Sequence, residues 1–271
     1  MVSTGFTAGM RGRTVSTVIL AAALAVGAAA CGSSGGSGSS PAASATSGTA
    51  AASPSASPVS TATVTGAAAT ALIIKAIADT KAATTLLVVG SGISSGSGTS
   101  GDQVSFNLTM VQKAGCRGAI ALSKVESFQL IETGGDVWLK PTNAFYTTLH
   151  LSQAALALVA DKYIRVPADN AQVADLAKIC SISGLFGELP TPTGTAYVAT
   201  PTTYNGKNAY KITQTGQAGY AYITDSSSPV LLKLAEPTAN GGVIGFTEYS
   251  APLAITAPPA AESIDGTKLG I

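Results

Sequence analysis

The sequence predicts an α+β domain built on antiparallel strands, and two observations carry that prediction. Two runs of strand-like segments, with apolar and polar residues alternating in several of them, are separated by helical stretches rich in Ala, Leu and Val. Gly-rich connections, such as residues 90–102 and the pair Gly134 and Gly135, join successive strands of the first run. Glycine-containing connections between successive strands favour hairpins and an antiparallel meander.

The first residues form a targeting signal that precedes the folded domain. Arg11 and Arg13 precede a short apolar run, residues 15–26, which is followed by small residues up to Cys31. The apolar run is shorter than the ~20 residues that span a bilayer, and the pattern is that of a signal peptide. It resembles a bacterial lipobox, which predicts diacylation of Cys31 as the mature N-terminus. The alternative is an ordinary secretory signal cut near Ala30, which leaves Cys31 as a free thiol.

A tether follows the signal peptide, which we assign to residues 1–30. Residues 32–66 contain only Gly, Ser, Ala, Pro, Thr and Val, without charge or aromatic rings. Such a segment cannot bury enough apolar surface to offset its ordering entropy, and as a flexible coil its ends lie roughly 33 Å apart. We therefore expect a lipidated cysteine and disordered tether over 31–66, one domain over 67–260 and a C-terminal tail over 261–271.

Composition excludes several classes of function. Charged residues make up 11% of the chain, with 15 basic and 14 acidic residues, and no Lys/Arg cluster is present to bind a phosphate backbone. One histidine, His150, and three cysteines are too few ligands for an ordinary zinc site. The sequence therefore predicts no nucleic-acid partner, no metal ion and no cofactor.

The domain begins with an apolar repeat of helical period that ends near Lys81. Its members are Ala69, Leu72, Ile73, Ala76, Ile77 and Thr80. The strands predicted next cover residues 84–89, 104–110, 119–122, 128–132 and 137–139. Two helices are predicted at 152–162 and 171–180, and five further strands at 196–200, 209–213, 220–223, 230–234 and 243–246.

Two glycine motifs resemble catalytic signatures. Residues 92–96 match G-x-S-x-G and residues 96–101 match G-x-G-x-x-G, but both lie in a Gly/Ser tract that leads into a strand. A nucleophile elbow or a dinucleotide turn opens a helix, so neither motif has the required context. A hydrolase that uses Ser94 and His150 would also need a carboxylate to orient the histidine. We predict no catalytic residues and a protein that is not an enzyme.

Several segments together resemble the LppX and LprG group of actinobacterial lipoproteins, and their order and spacing match as well. They are the leading helix at 72–82, WLKP at 138–141, FY at 145–146, KYIRV at 162–166, YNGKNAYKI at 204–212, SPVLLKL at 228–234 and FTEYSAP at 246–252. The resemblance covers most of residues 67–258.

This group is similar to the LolA-type carriers. The resemblance implies a curved antiparallel half-barrel covered by α-helices, with an apolar cavity for acyl chains. It also implies a protein that binds or transfers an acylated lipid or glycolipid. Together with Cys31, it predicts a lipid anchor on the extracytoplasmic face of the cell membrane.

The remaining cysteines, Cys116 and Cys180, form the one pair left to oxidise in a secreted chain whose third cysteine is lipidated. Cys116 lies in a predicted turn over residues 115–118, and Cys180 ends a predicted helix. Closing the loop between them contributes roughly 4 kcal/mol in the loop-entropy model. The alternative is two buried free thiols.

The apolar face of the first strand run and of the following helix has two interpretations, an ordinary core or the wall of a lipid cavity. The candidate cavity residues are Val104, Phe106, Leu108, Met110, Phe128, Leu130, Val137, Leu139, Leu156 and Val159. The corresponding alternative function is a structural or sensing lipoprotein with a closed core, which recognises a protein partner through exposed strand edges.

Overall fold

The computed structural model describes residues 60–93, 103–122, 126–148, 153–187, 189, 191–238 and 241–269. The helices are α1 (Gly66–Lys81), α2 (Asn143–Thr148), α3 (Gln153–Val159), α4 (Ala174–Ile179) and α5 (Ile182–Gly187). The first strands are β1 (Val64–Thr65), β2 (Thr85–Ile93), β3 (Gln103–Val111), β4 (Gly115–Ala121), β5 (Ser127–Thr133), β6 (Asp136–Pro141) and β7 (Tyr163–Pro167). They are followed by β8 (Tyr197–Tyr204), β9 (Lys207–Gln214), β10 (Tyr220–Thr224), β11 (Leu231–Ala235), β12 (Gly242–Thr247) and β13 (Ser263–Asp265).

All thirteen strands belong to one sheet, in the order β1-β8-β9-β10-β11-β12-β2-β3-β4-β5-β6-β7-β13. Each neighbouring pair is antiparallel except β7 and β13, which are parallel. The sheet is curled but open, since β1 and β13 remain separate edges. This is the α+β half-barrel architecture that was expected.

The concave face of the sheet is the face that carries the core. In the β2–β3 hairpin, Leu86 lies opposite Met110 and Val88 opposite Leu108, and all four side chains are almost fully buried. Because side chains alternate along a strand, the residues between them point to the opposite, outer face. Helix α1 packs against this core through Ala69, Ile73 and Ala76, which share one side of the helix.

The predicted elements are confirmed in kind and nearly in position, with one exception. The segment 115–118 is not a turn but the start of β4, and the turn precedes it at Lys113. Gly115 has a φ of 107°, and a Cβ there would lie 1.9 Å from the carbonyl oxygen of Glu132. The glycine at 115 therefore allows β4 to pair closely with β5. The glycines on either side of Cys116 had predicted a turn, and that prediction was wrong.

The sheet extends beyond both ends of the interval 67–260. Strand β1 pairs with β8 through Val64 and Thr65, ahead of that interval. Strand β13 pairs with β7 beyond it, and 3-10 helices flank β13 at Ala260–Glu262 and Gly266–Leu269. Residues 261–269, expected as a tail, are therefore part of the fold.

Within the described residues, no helix combines the length and the apolar character needed to cross a bilayer.

Candidate functional site: the concave face of the sheet

The candidate cavity residues on strands share the concave face. Phe106 lies opposite Ile120, which in turn lies opposite Phe128, and Leu130 lies opposite Leu139. Val104, Leu108 and Met110 of β3 and Val137 of β6 continue the same face by alternation. From α3, Leu156 and Val159 pack against this cluster. The structure thus brings nine of the ten residues into one hydrophobic cluster, while Val104 lies on the same strand face outside that cluster. Their role in binding a lipid remains a proposal.

One end of the concave face is a closed core. Leu108 and Met110 are each 1% exposed, and Leu130 and Val137 are fully buried. At this end the predicted disulfide is present, since Cys116 of β4 is bonded to Cys180 at the end of α4. The bond fastens α4 to the sheet, and it lies among the most buried residues of the described chain.

The other end of the same strands is less completely closed, although Ile120 and Phe128 there are only 4% and 7% exposed. Burial decreases along β3, from Met110 and Leu108 to the half-buried Phe106 and Val104. We call this end the apolar trough and define it by Val104, Phe106, Ile120, Phe128 and Leu139.

Glycines of β2 and β12 lie beside the apolar trough. Gly90 lies opposite Phe106, and Gly92 lies opposite both Val104 and Gly242. A Cβ at Gly90 would lie 2.3 Å from the Phe106 ring, so the ring lies directly on the glycine backbone. The ring of Phe106 therefore occupies the space above Gly90, where a side chain would otherwise lie on the concave face.

The connection from β6 to β7 starts and ends beside the apolar trough and contributes α2 and α3. Tyr146 of α2 is buried, and its hydroxyl donates to the carbonyl oxygen of Val159, with 3.5 Å between the two oxygens. Desolvation raises the pKa of Tyr146 to about 12. On α3, Leu156 is half-buried, whereas Leu158 is 64% exposed. The helix α3 is therefore anchored on one side only.

Two buried tyrosine hydroxyls beneath α1 differ in their hydrogen bonding. The hydroxyl of Tyr249 donates to the carbonyl oxygen of Leu231, whose amide donates to the hydroxyl of Thr80 at 2.9 Å. The hydroxyl of Tyr197, on the concave face of β8, is buried without a partner among the described residues. Desolvation raises the pKa of both tyrosines. The strand pattern places Tyr197 inside, but no sequence signal shows that its hydroxyl lacks a partner.

A polar cleft of about 520 Å³ lies beside the disulfide, between the β3–β4 turn and the end of α4. Glu132, the cross-strand neighbour of Cys116, lines it together with Lys81 and Lys113. Desolvation raises the pKa of Glu132. The lining also contains the hydroxyl groups of Ser181 and Ser183.

Three residues were considered as possible catalytic or lipid-anchoring groups. Ser94, His150 and Cys31 lie outside the described residues. In the part of the chain that the structure describes, no group of three or more His, Cys, Asp or Glu side chains is arranged to hold a metal ion.

A further depression, of about 430 Å³, lies across β12, β2, β3 and β4. Its lining includes small side chains, among them Ser91, Ser105 and Ala121, together with Phe106 and Ile120. Val89 and Val243 are 45% and 40% exposed. Phe106 and Ile120, which help to define the apolar trough, therefore also line this depression.

No protein-family model matches the chain. No curated protein matches it either. Among solved structures the chain is similar to LprF from Mycobacterium bovis, with 13% identity and a TM-score of 0.46, over 72% of this chain and 99% of that one.

It is also similar to the lipoprotein LppX from Mycobacterium tuberculosis, with 15% identity and a TM-score of 0.40, over 70% of this chain and 98% of that one. A LolA-superfamily protein from Nitrosomonas europaea is 10% identical with a TM-score of 0.24, over 70% of this chain and 95% of that one. The solved structures to which this chain is similar thus include the LppX group to which its sequence segments were compared.

Proposed function

We propose that this chain is a membrane-anchored, non-catalytic lipoprotein that binds or transfers acylated lipids or glycolipids at the cell envelope. The observation that supports this best is the gradient of burial along the concave face. A domain that needed only a core would close both ends of that face, yet Val104 and Phe106 remain half-buried beside glycine positions. Apolar surface of this kind is suited to an acyl chain, which needs burial but few polar contacts.

The bound acyl chain would lie in the apolar trough, with α3 above it. Leu156 faces the core cluster from α3, so it and the strand residues would contact the chain from opposite sides. Because α3 is anchored on one side only, it can move outward to admit a ligand without breaking the closed core near the disulfide. Bound lipid would then increase the stability of the domain by mass action.

The anchor is the second part of this proposal and rests on the sequence before residue 60. A lipid on Cys31 and a flexible tether would hold the domain near the extracytoplasmic face of the cell membrane. Replacing Cys31 with Ala should move the protein from the membrane fraction to the soluble secreted fraction or leave it as an uncleaved precursor. Unchanged partition into membranes would rule out this anchor.

Lipid binding is tested with the mature chain carrying Cys31→Ala, so that no covalent acyl group obscures a bound lipid. Native mass spectrometry should detect co-purifying lipid, and the delipidated protein should bind a fluorescent fatty acid. Val104→Trp fills the trough and should weaken fatty-acid binding by about tenfold or more, whereas Ser105→Trp, at the next residue on the outer face, should not.

A second matched pair lies on α3. Leu156→Trp should reduce binding, and Leu158→Trp, at an exposed position of the same helix, should leave it unchanged. A purified protein that carries no lipid and takes up no fatty acid would refute the proposal.

The second candidate is a structural or sensing lipoprotein with a closed core. It is favoured by the packing of Leu108, Met110 and Leu130, which leaves no space for a ligand at that end of the concave face. Recognition through strand edges has room mainly on β8, because β1 pairs with only Val198 and Ala199 of that eight-residue strand. Strand β13 pairs with three of the five residues of β7. A failed lipid-binding test would favour this candidate.

A further inference from the structure

The outer face of the sheet carries a compact cluster of aromatic and basic side chains on β8 to β11, at a distance from the apolar trough. We call it the tyrosine–lysine patch and define it by Tyr204, Tyr220, Tyr222, Lys211 and Lys233. The rings of Tyr204 and Tyr222 stack with centroids 4.6 Å apart. Tyr220 meets Tyr222 edge to face, with centroids 5.7 Å apart.

The lysines of the patch are held against the aromatic rings. Lys211 and Lys233 lie on either side of Tyr222 in the strand register. Their ammonium groups approach the ring centroid of Tyr220 to 4.8 Å and 5.9 Å respectively. Each cation therefore rests on an aromatic surface rather than on a carboxylate, which leaves its charge available to an outside anion.

Basic residues predominate on the strands that carry the patch. The five strands β8 to β12 contain no Asp or Glu, and their basic residues are Lys207, Lys211 and Lys233. Two carboxylates follow these strands: Glu236 directly after β11, and Asp225 directly after β10, which accepts two hydrogen bonds from Ser60 at 2.9 Å and 3.0 Å. The surface thus presents positive charge with amphipathic rings.

The tether enters the fold at this place. Ser60 is the first described residue, and its bonds to Asp225 hold the chain three positions beyond Tyr222. Three residues of strand span about 10 Å. If the segment from Cys31 to Ser60 behaves as the coil that its composition predicts, its end-to-end distance is roughly 30 Å. The patch is therefore next to the point through which an anchor at Cys31 holds the domain.

We propose that the tyrosine–lysine patch docks the domain onto an anionic phospholipid surface, an inference that rests on the Cys31 anchor of the proposed function. Lysines are attracted to anionic headgroups, and tyrosine rings favour the boundary between headgroups and acyl chains. The tether keeps the patch at a high effective concentration near the bilayer, so even weak docking would be populated. Docking would fix which side of the domain faces the membrane.

The test uses the mature chain with Cys31→Ala, which has no acyl group, so that the patch alone accounts for binding. Co-sedimentation compares vesicles of phosphatidylcholine with phosphatidylglycerol against vesicles of phosphatidylcholine alone. We expect binding to the anionic vesicles only, and weaker binding as the salt concentration rises.

Each lysine near an anionic surface strengthens binding about fivefold, so Lys211→Gln with Lys233→Gln should lower the partition coefficient about twenty-five-fold. The matched control is Lys113→Gln with Lys268→Gln, which removes the same charge at exposed positions elsewhere. The control should keep most of the binding. Circular dichroism establishes that both double variants are folded, and the salt dependence of the unmodified patch tests the proposal without any substitution.

Three results would overturn the proposal: equal binding to both kinds of vesicle, equal loss in the patch and control variants, or binding to a soluble polyanion but not to vesicles. None of these results bears on the lipid anchor or on the apolar trough. Those are tested by membrane fractionation of the Cys31→Ala protein and by fatty-acid uptake, so failure of the docking surface and failure of the proposed function are distinguishable.

Discussion

Replacing Tyr197 with Phe should make the lipid-free domain more stable. The Tyr197 hydroxyl is buried without a partner among the described residues, and an unsatisfied buried polar group costs about 1–3 kcal/mol. Removing the oxygen relieves that cost but also removes the van der Waals contacts of the oxygen. We therefore expect the free energy of unfolding to rise by about 1 kcal/mol, the low end of this range.

The matched control is Tyr249→Phe. Here the hydroxyl donates to the carbonyl oxygen of Leu231, and its loss should lower the free energy of unfolding by about 1 kcal/mol. Both variants are measured by urea unfolding of the delipidated chain, followed by circular dichroism. A loss of stability in Tyr197→Phe as large as in the control would show that the hydroxyl has a partner, and would refute this reasoning.

The same pair of variants can be measured with lipid bound. If a lipid headgroup reaches Tyr197, the lipid-loaded Tyr197→Phe protein should lose the advantage that it has when lipid-free. An unchanged difference would show that the bound lipid stays away from this hydroxyl. Tyr249→Phe serves again as the control, because its hydroxyl is already bonded within the protein.

Three further predictions concern the disulfide and the buried titratable groups. Cys116→Ser or Cys180→Ser should lower the free energy of unfolding by about 4 kcal/mol, and thiol labelling of the unfolded, unreduced protein should find no free thiol at either position. Glu132→Gln should raise the urea midpoint at neutral pH, because desolvation raises the pKa of Glu132 and the folded state loses stability as the carboxyl ionises. At about pH 4 the difference should shrink, and an equal difference at both pH values would contradict this cause. Since burial raises the pKa of Tyr146 from 10.0 to about 12, stability should fall as the pH rises through this window, and Tyr146→Phe should reduce that fall in an alkaline unfolding titration.

The elements with a strong periodic pattern were predictable from the sequence. The apolar repeat before Lys81 predicts α1, and the alternation from Val104 to Met110 predicts β3 together with the face it turns to the core. Both patterns arise because one side of the element is buried, and this periodicity is visible in the sequence whatever the overall composition. The pairing of Cys116 with Cys180 was predictable because lipidation of Cys31 would leave a single pair.

Other features depend on contacts distant in the sequence. Strand β13 is three residues long and pairs with β7 about a hundred residues earlier, so no local alternation reveals it. The position of the Phe106 ring on the concave face depends on Gly90, which lies opposite Phe106 only once β2 and β3 have paired. Single glycines in separate strands suggest turns or bulges until the register is known.

The two sheet edges are made by opposite ends of the described chain, and this has a consequence for any shortened form of the protein. Strand β1 covers part of β8, and β13 covers part of β7 through Ser263 to Asp265. A chain that stopped at residue 260 would leave β7 as a bare edge with unpaired backbone groups, which can pair with another molecule. Such a form would tend to aggregate even though its core were intact, so solubility, and not only ligand binding, depends on the last strand.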